Sequence, residues 1–434
     1  MFTPFKDFTQ IISGKADMSD ISCQYTVFEI LPIAMLMLAF CYNSPQEIAE
    51  GMGGIIKAND MFVTDYLYIA SPGAALFNSG LTTLALIKLL KKLDLKLNGM
   101  IIAGIFMTAG FSFVGKNMYN IWSFYVGGYA YSRVHELEFK SVIGTCIFSA
   151  SLAPIVSVVT FAVPGNPIFG IISGYAVGGF LGYIMPKINS HLLNAHSGYS
   201  LYNTGFAAGF IAGVAQAGFR MFGIAQTGLG ISCETVYLGI YALFAAYFIF
   251  LLAAGFYYND RSFKNYKEIF NYSGRLITDY TRLSTFPITI LNIGVMGLIG
   301  MGYIYFFEGV LNASLIAGLM AVAGFGSFGV NPLNSFPVMM GVYAATFFFN
   351  TSSVSRTIII TIGLFSTSLA PIAGEYGIFI GMLTGAIHLS VTLSTPLWHE
   401  GLNLYNNGFS AGIVAMLAIP IFDALKIKRW EDRI

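Results

Sequence analysis

Charged residues make up only 10% of this 434-residue sequence, against about 25% in soluble domains, too few to solvate a globular surface of its size. The 22 basic side chains nearly cancel the 21 acidic ones. No run of Lys or Arg is long enough to track phosphates, which argues against nucleic acid as a partner. Cysteine is scarce as well. Cys23, Cys41, Cys146 and Cys233 stand singly, without CxxC spacing or accompanying His, so neither a disulfide framework nor a zinc site is expected. HExxH, GxSxG, P-loop and dinucleotide-fingerprint motifs are missing in any usable context, so no enzyme activity, catalytic residue or cofactor is expected. The first 25 residues lack the apolar core and small-residue cleavage site of a signal peptide, and the N-terminus is expected to be retained. What the chain does have is 56% hydrophobic residues, 15% aromatics and a mean hydropathy of +0.70. These values describe an integral membrane protein.

Apolar runs long enough to cross roughly 30 Å of hydrocarbon fall near 26–43, 62–90, 141–163, 167–186, 200–219, 236–258, 285–307, 354–372, 377–395 and 402–424. The periodicity is helical, not that of a barrel, giving an all-α polytopic fold. Four shorter segments, near 100–115, 118–132, 311–325 and 332–349, meet in pairs at Gly and Asn and predict re-entrant or broken helices. The stretch 259–284 carries Arg261, Lys264, Lys267, Arg275 and Arg282 and reads as a connecting loop. Glu29, Asp65, Glu234 and Asp423 fall near predicted span ends and are expected to reach water.

The chain repeats itself. His196–Gly209 and His399–Gly412 share nine of 14 positions. Phe77–Asn120 aligns without gaps on Leu291–Asn334, a shift of 214, with 14 identities in 44, where chance supplies roughly four. Ser151–Pro154 and Ser368–Pro371 are the same tetrapeptide. Two membrane repeats follow, 20–220 and 234–425, each with about seven hydrophobic segments. The first connection, 44–61, holds one base, Lys57, whereas its counterpart 259–284 holds five. Opposite charge bias of this kind predicts inverted repeats with both termini cytoplasmic in the plasma (inner) membrane, Arg356 being the one base that does not fit.

An inverted duplication builds a site near the bilayer midplane from short broken helices, which is a transport architecture. Polar groups paired across the repeat are the substrate-binding candidates: Asn117, Asn120, Asn331 and Asn334 at the breaks, where helix capping is the competing role, and Tyr202, Asn203, Tyr405 and Asn406, where the neighbouring small residues equally suit helix packing. Phe111 and Phe325 are candidates for a narrow slot or for plain core packing. His388 lies inside a span without a repeat partner, a candidate coupling group or a buried neutral His. His196 and His399 precede their helices and read as interfacial anchors. No buried acidic pair suited to sodium or proton coupling stands out, which tilts the reading towards a passive route.

The stretch Gly165-Asn-Pro-Ile-Phe-Gly, then Gly174, Gly178 and Gly182, then Leu201-Tyr-Asn-Thr-Gly-Phe resembles the urea-transporter family. Its echo in the second half runs through Gly381, Gly385, Ser394-Thr-Pro396 and Leu404-Tyr-Asn-Asn-Gly-Phe, and Asn331-Pro332 after Gly324-Phe-Gly326 is similar to that family's half-helix motif. The resemblance implies a homo-oligomeric channel, a trimer or dimer, with a slot between phenylalanines and a ladder of oxygens that bind urea's amide hydrogens. Ser112 or Ser327 stands where the family carries Gln or Glu, and seven segments per half is closer to nucleobase and anion transporters. The sequence therefore predicts a lipid-embedded channel for a small polar neutral solute, urea or an amide, with a proton- or sodium-coupled alternating-access carrier of a polar, nucleobase-like or anionic solute as the alternative.

Overall fold

The computed structural model describes residues 3–61, 64–161, 166–223, 230, 232–348, 350–427 and 429. Phe62, Val163, Gly165 and Phe349, which figure in the predicted spans and motif, lie outside the described residues. Strands are absent among the described residues. Nine described helices are long and apolar enough to cross a membrane, and the protein is an all-α polytopic membrane protein.

Among the described residues, seven helices in each half build the two repeats. In the first half these are α1 (Ile21–Tyr42), α2 (Pro72–Lys92), α3 (Gly99–Phe111), α4 (Trp122–Val134), α5 (Phe139–Phe161), α6 (Pro167–Leu193) and α7 (Asn203–Met221). In the second they are α8 (Leu238–Tyr258), α9 (Phe286–Phe306), α10 (Ala313–Phe325), α11 (Pro332–Ala345), α12 (Arg356–Tyr376), α13 (Ile378–Ser394) and α14 (Asn406–Ala424). Equivalent residues start equivalent helices. Ser71 and Thr285 cap α2 and α9 ahead of a proline in the first turn, and the Asn98 and Asn312 side chains accept from Ile101 and Leu315 to cap α3 and α10. Each cap satisfies a backbone N–H that hydrocarbon cannot. Midway along α5 and α12 the chain tightens to a 3₁₀ turn at Ala150–Leu152 and Ser366–Leu369, just ahead of Pro154 and Pro371.

α3 and α10 are 13 residues each, about 20 Å long and too short to span. Both ends of the α3–α4 pair lie on one face, since Lys140, just after α4, donates to the carbonyl of Asp94, just before α3. The second half does the same: Phe307 packs against Tyr343 with centroids 3.9 Å apart, and Arg356 pairs with Glu308. Each pair is thus a re-entrant hairpin, leaving five crossings per half. The odd number turns the second half over. α1 and α8 accordingly run antiparallel, with Tyr42 against Tyr237 at one end and Tyr258 bonded to the Ile11 carbonyl at the other.

The halves exchange bonds reciprocally. Asp65 accepts from Ala313 N at the start of α10, while Asp279 accepts from Gly99 N at the start of α3. Leu201 N bonds Ser368 O, and Leu404 N bonds Ser151 O, each at 2.9 Å. Residue i meeting j while the equivalents of each meet in turn is the signature of two-fold symmetry. On that axis α7 and α14 cross through Gly205 and Gly408, where a Cβ on either would lie 3.0 Å from the Cβ of Tyr405 or Tyr202. Asp65 is fully buried and Glu29 nearly so, paired with Lys91 at 2.9 Å. Neither reaches water as its position near a span end suggested: Asp65 is consumed as a cap between the halves.

Candidate functional site

Two cavities related by the repeat enter the molecule from opposite faces. One, of about 400 Å³, is lined among others by Phe111, Thr361, Phe365, Thr392, His399 and Asn406. The other, of about 420 Å³, is lined by Phe325, Phe148, Tyr202, Asn189, Asn203 and Asp279, and opens beside the 259–284 loop. Phe111 and Phe325, Phe365 and Phe148, and Asn406 and Asn203 are repeat equivalents, so the cavities are two copies of one vestibule.

The vestibules end on a common aromatic barrier at the two-fold axis. Phe111 packs on Tyr405 at 4.5 Å and on Phe365 at 5.7 Å; Phe325 packs on Tyr202 at 4.6 Å and on Phe148 at 6.1 Å. Each phenylalanine therefore faces a tyrosine of the opposite half. Between the vestibules remains a void of about 10 Å³ bordered by Met107, Tyr202, Phe365, Leu404, Tyr405 and Gly408. That is room for about one water, and the two cavities do not connect.

Below the barrier the wall amides are held in place. His196 Nε2 meets Asn203 Oδ1, and His399 Nε2 meets Asn406 Oδ1, both at 2.9 Å. The other ends of these amides donate to the carbonyls of Asn189 and Thr392. Both histidines are buried, so they orient vestibule amides instead of anchoring at the interface. His388 is fully buried in α13 with Thr392 Oγ1 at 3.4 Å and Asn407 beside it. Asn407, not His388, reaches the vestibule wall.

Asn117, Asn120, Asn331 and Asn334 lie in the hairpin tips, 0–2% exposed. Asn117 and Asn120 exchange backbone N–H to side-chain Oδ1 bonds at 2.9 and 3.0 Å, and Asn331 and Asn334 do the same at 2.9 and 3.1 Å. Their Nδ2 groups reach Gly115 O, Gly329 O, Ile55 O and Ile269 O. These amides close the broken backbone that hydrocarbon would leave orphaned. They stand behind the vestibule walls. Asn78 and Asn292 complete the frame, each donating to two tip carbonyls: Ser112 and Lys116, Gly326 and Val330.

Two buried ionisable side chains escaped the sequence reading. Asp60 is fully buried and receives Tyr66 Oη at 2.6 Å, Ser157 Oγ at 2.7 Å and Asn120 Nδ2 at 3.0 Å. Lys116, also fully buried, donates to Tyr405 Oη at 2.6 Å and sits over the Tyr405 and Phe111 rings at 4.9 and 5.8 Å. The second half has Gly274 and Val330 at these places, so the barrier is symmetric in shape and asymmetric in charge. An intramembrane Lys in the run Phe111–Asn120 was itself the available signal.

The sequence model of one protein family, DUF1576, described as "Protein of unknown function", matches residues 44–221 and 258–424. The two starts differ by the same 214 residues that superimpose the repeats. No curated protein and no solved structure matches the chain.

Proposed function

The chain belongs to the DUF1576 family, each matched segment of which contains one re-entrant hairpin, and we propose that it carries a small polar solute across the membrane between the two vestibules. One observation carries this reading: two equivalent cavities of solute size approach the same point from opposite faces and are separated by a few aromatic rings. A membrane scaffold has no use for two such cavities, whereas a transport route needs both. The oriented amides of Asn203 and Asn406 supply hydrogen bonds on the way to the barrier, and Tyr202, Tyr405, Phe111 and Phe325 set its width.

The solute classes open from the sequence are a neutral amide such as urea and, alternatively, nucleobase-like or anionic molecules. Closure at the barrier favours a gated or alternating route over a standing pore, because rings 4.5 Å apart admit no solute until they move. Lys91, Lys92, Lys96, Arg133, Lys140 and the bases of 259–284 share the loop face, while the opposite face holds Lys57 and the paired Arg220 and Arg356. This bias supports a cytoplasmic loop face, and Arg356, the base that did not fit, is offset by Glu308.

Stopped-flow swelling of proteoliposomes in urea, with and without proton and sodium gradients, tests the reading. Urea entry above that of empty liposomes and independent of gradients supports the passive route, and gradient-dependent entry supports the carrier. No flux of any small polar solute, even after Phe111→Ala opens the barrier, refutes transport.

A further inference from the structure

The barrier is built twice, but its charge occurs once. Tyr202 and Tyr405 occupy equivalent places, each against a phenylalanine of the other half. Only Tyr405 has an ammonium behind it, because Val330 stands where the first half has Lys116. The ammonium has no ion-pair partner among the described residues. Asp60, the other buried charge of that half, is taken up by Tyr66, Ser157 and Asn120. Burying a cation without a counter-ion is costly, and an ionisable side chain inside the membrane is by default a functional-site candidate.

The geometry fixes what Tyr405 offers. A protonated Lys116 has only N–H donors, so its bond at 2.6 Å uses a lone pair of the Tyr405 oxygen, and a second, at 3.4 Å, goes to the Ile147 carbonyl. The phenolic proton remains free, and no described residue accepts it. Tyr405 borders both the central void and the loop-face vestibule. A hydroxyl whose oxygen is held by an ammonium is a stronger donor than a free one.

Resting on the transport reading above, we infer that Lys116 and Tyr405 form a single anion site at the barrier, and that the solute carries a small carboxylate. The carboxylate accepts the Tyr405 proton from the vestibule side and is the counter-ion that Lys116 lacks. The aromatic rings of Phe325 and Tyr202, which line that vestibule, cover the solute's apolar remainder. A neutral amide gains the hydroxyl bond but leaves the ammonium unpaired, which sets the discrimination.

The test uses full-length protein in proteoliposomes with radiolabelled lactate and lactamide, which share a carbon skeleton and differ in charge. Lactate is expected to enter faster than lactamide, and Lys116→Met to lower the lactate-to-lactamide flux ratio by about tenfold or more. Lys116→Arg, which keeps the charge, is expected to retain more lactate flux than the Met variant. In parallel, thermal unfolding of the purified protein is followed in sodium lactate and in lactamide. Lactate should raise the midpoint of the wild type and not that of Lys116→Met, whose own midpoint should be at least as high because a buried charge is gone. Equal handling of the two solutes, or a Met variant with unchanged selectivity, overturns the anion site and leaves the transport reading standing. Stabilisation by lactate without flux of urea, lactamide or lactate keeps the site and refutes transport. Lactate that neither enters nor stabilises overturns the site.

Discussion

Asn78 and Asn292 offer a quantitative test of how the hairpins are held. Each is fully buried and donates to two tip carbonyls of its own half, at 2.7 and 2.9 Å for Asn78 and at 2.6 and 2.9 Å for Asn292. Replacement by Leu keeps the volume and removes both donors. If the loss is only that of two membrane hydrogen bonds at about 0.6 kcal/mol each, the cost is about 1 kcal/mol. If both carbonyls stay orphaned, at about 1–3 kcal/mol each, it approaches 6 kcal/mol. The tips are sealed by Asn120, Asn334 and the helix ends, so water has no ready access and the upper part of that range is expected, about 3–5 kcal/mol. Asn292 also accepts from Tyr266 Oη at 2.9 Å, while Asn78 Oδ1 has no partner. Asn292→Leu should therefore cost about 1 kcal/mol more than Asn78→Leu. Equilibrium unfolding in mixed micelles of dodecyl maltoside and SDS reads both values. A cost below about 1 kcal/mol for either variant, or the reverse order, refutes the view that these amides hold the hairpin tips.

Phe111→Ala removes the ring between Tyr405 and Phe365 and should raise small-solute flux about tenfold, a barrier change of about 1.4 kcal/mol, while lowering stability by about 3–5 kcal/mol. Parallel swelling and melting measurements separate the two effects. Gly341→Ala places a Cβ 2.0 Å from the Met382 carbonyl where α11 meets α13, and should destabilise by about 1–3 kcal/mol. Gly53→Ala, in open space on the helix Pro45–Lys57, should instead be neutral or stabilise by up to about 1 kcal/mol; thermal melts of the pair check this. On the same helix, Glu47 accepts the Ser44 backbone N–H, which holds its carboxyl below the ordinary 4.5. Because the folded value is the lower one, its contribution is complete above 4.5 and disappears as pH falls through the folded value. The protection of the first-turn amides, relative to their intrinsic exchange rates, should fall over that window and stay constant between pH 6 and 8.

The architecture was legible because the same physics acts twice on a recognisable sequence. Asn98 and Asn312, Asn117 and Asn331, and Asn120 and Asn334 are identical because the re-entrant ends need the same caps in hydrocarbon, and their 214-residue spacing exposed the duplication. Short segments at Gly and Asn gave the hairpins. The vestibule walls were half legible: Tyr202, Asn203, Tyr405, Asn406, Phe111 and Phe325 line them or close them, while Phe148 and Phe365 are ordinary residues in apolar runs and carried no signal. Lys116 and Asp60 were missed for a definable reason. Pairing across the repeat was the filter for candidate polar groups, and Val330 and Gly274 remove both from any paired set. Asp60 also lies in a stretch rich in Glu, Asp and Gly that reads as an aqueous loop, and only the packing of Tyr66 and Ser157 brings it inside.

The reciprocal caps also bear on how the chain is made. Gly99 N waits for Asp279, 180 residues further along, which at about 5–20 residues per second is roughly 10–40 s of synthesis. Until then the first hairpin sits in the bilayer with its leading amide unclaimed, and Asp65 has no α10 to hold. The first half thus completes its hairpin cap only after the second half has been made, and a chain stopped between the halves keeps that amide unpaired.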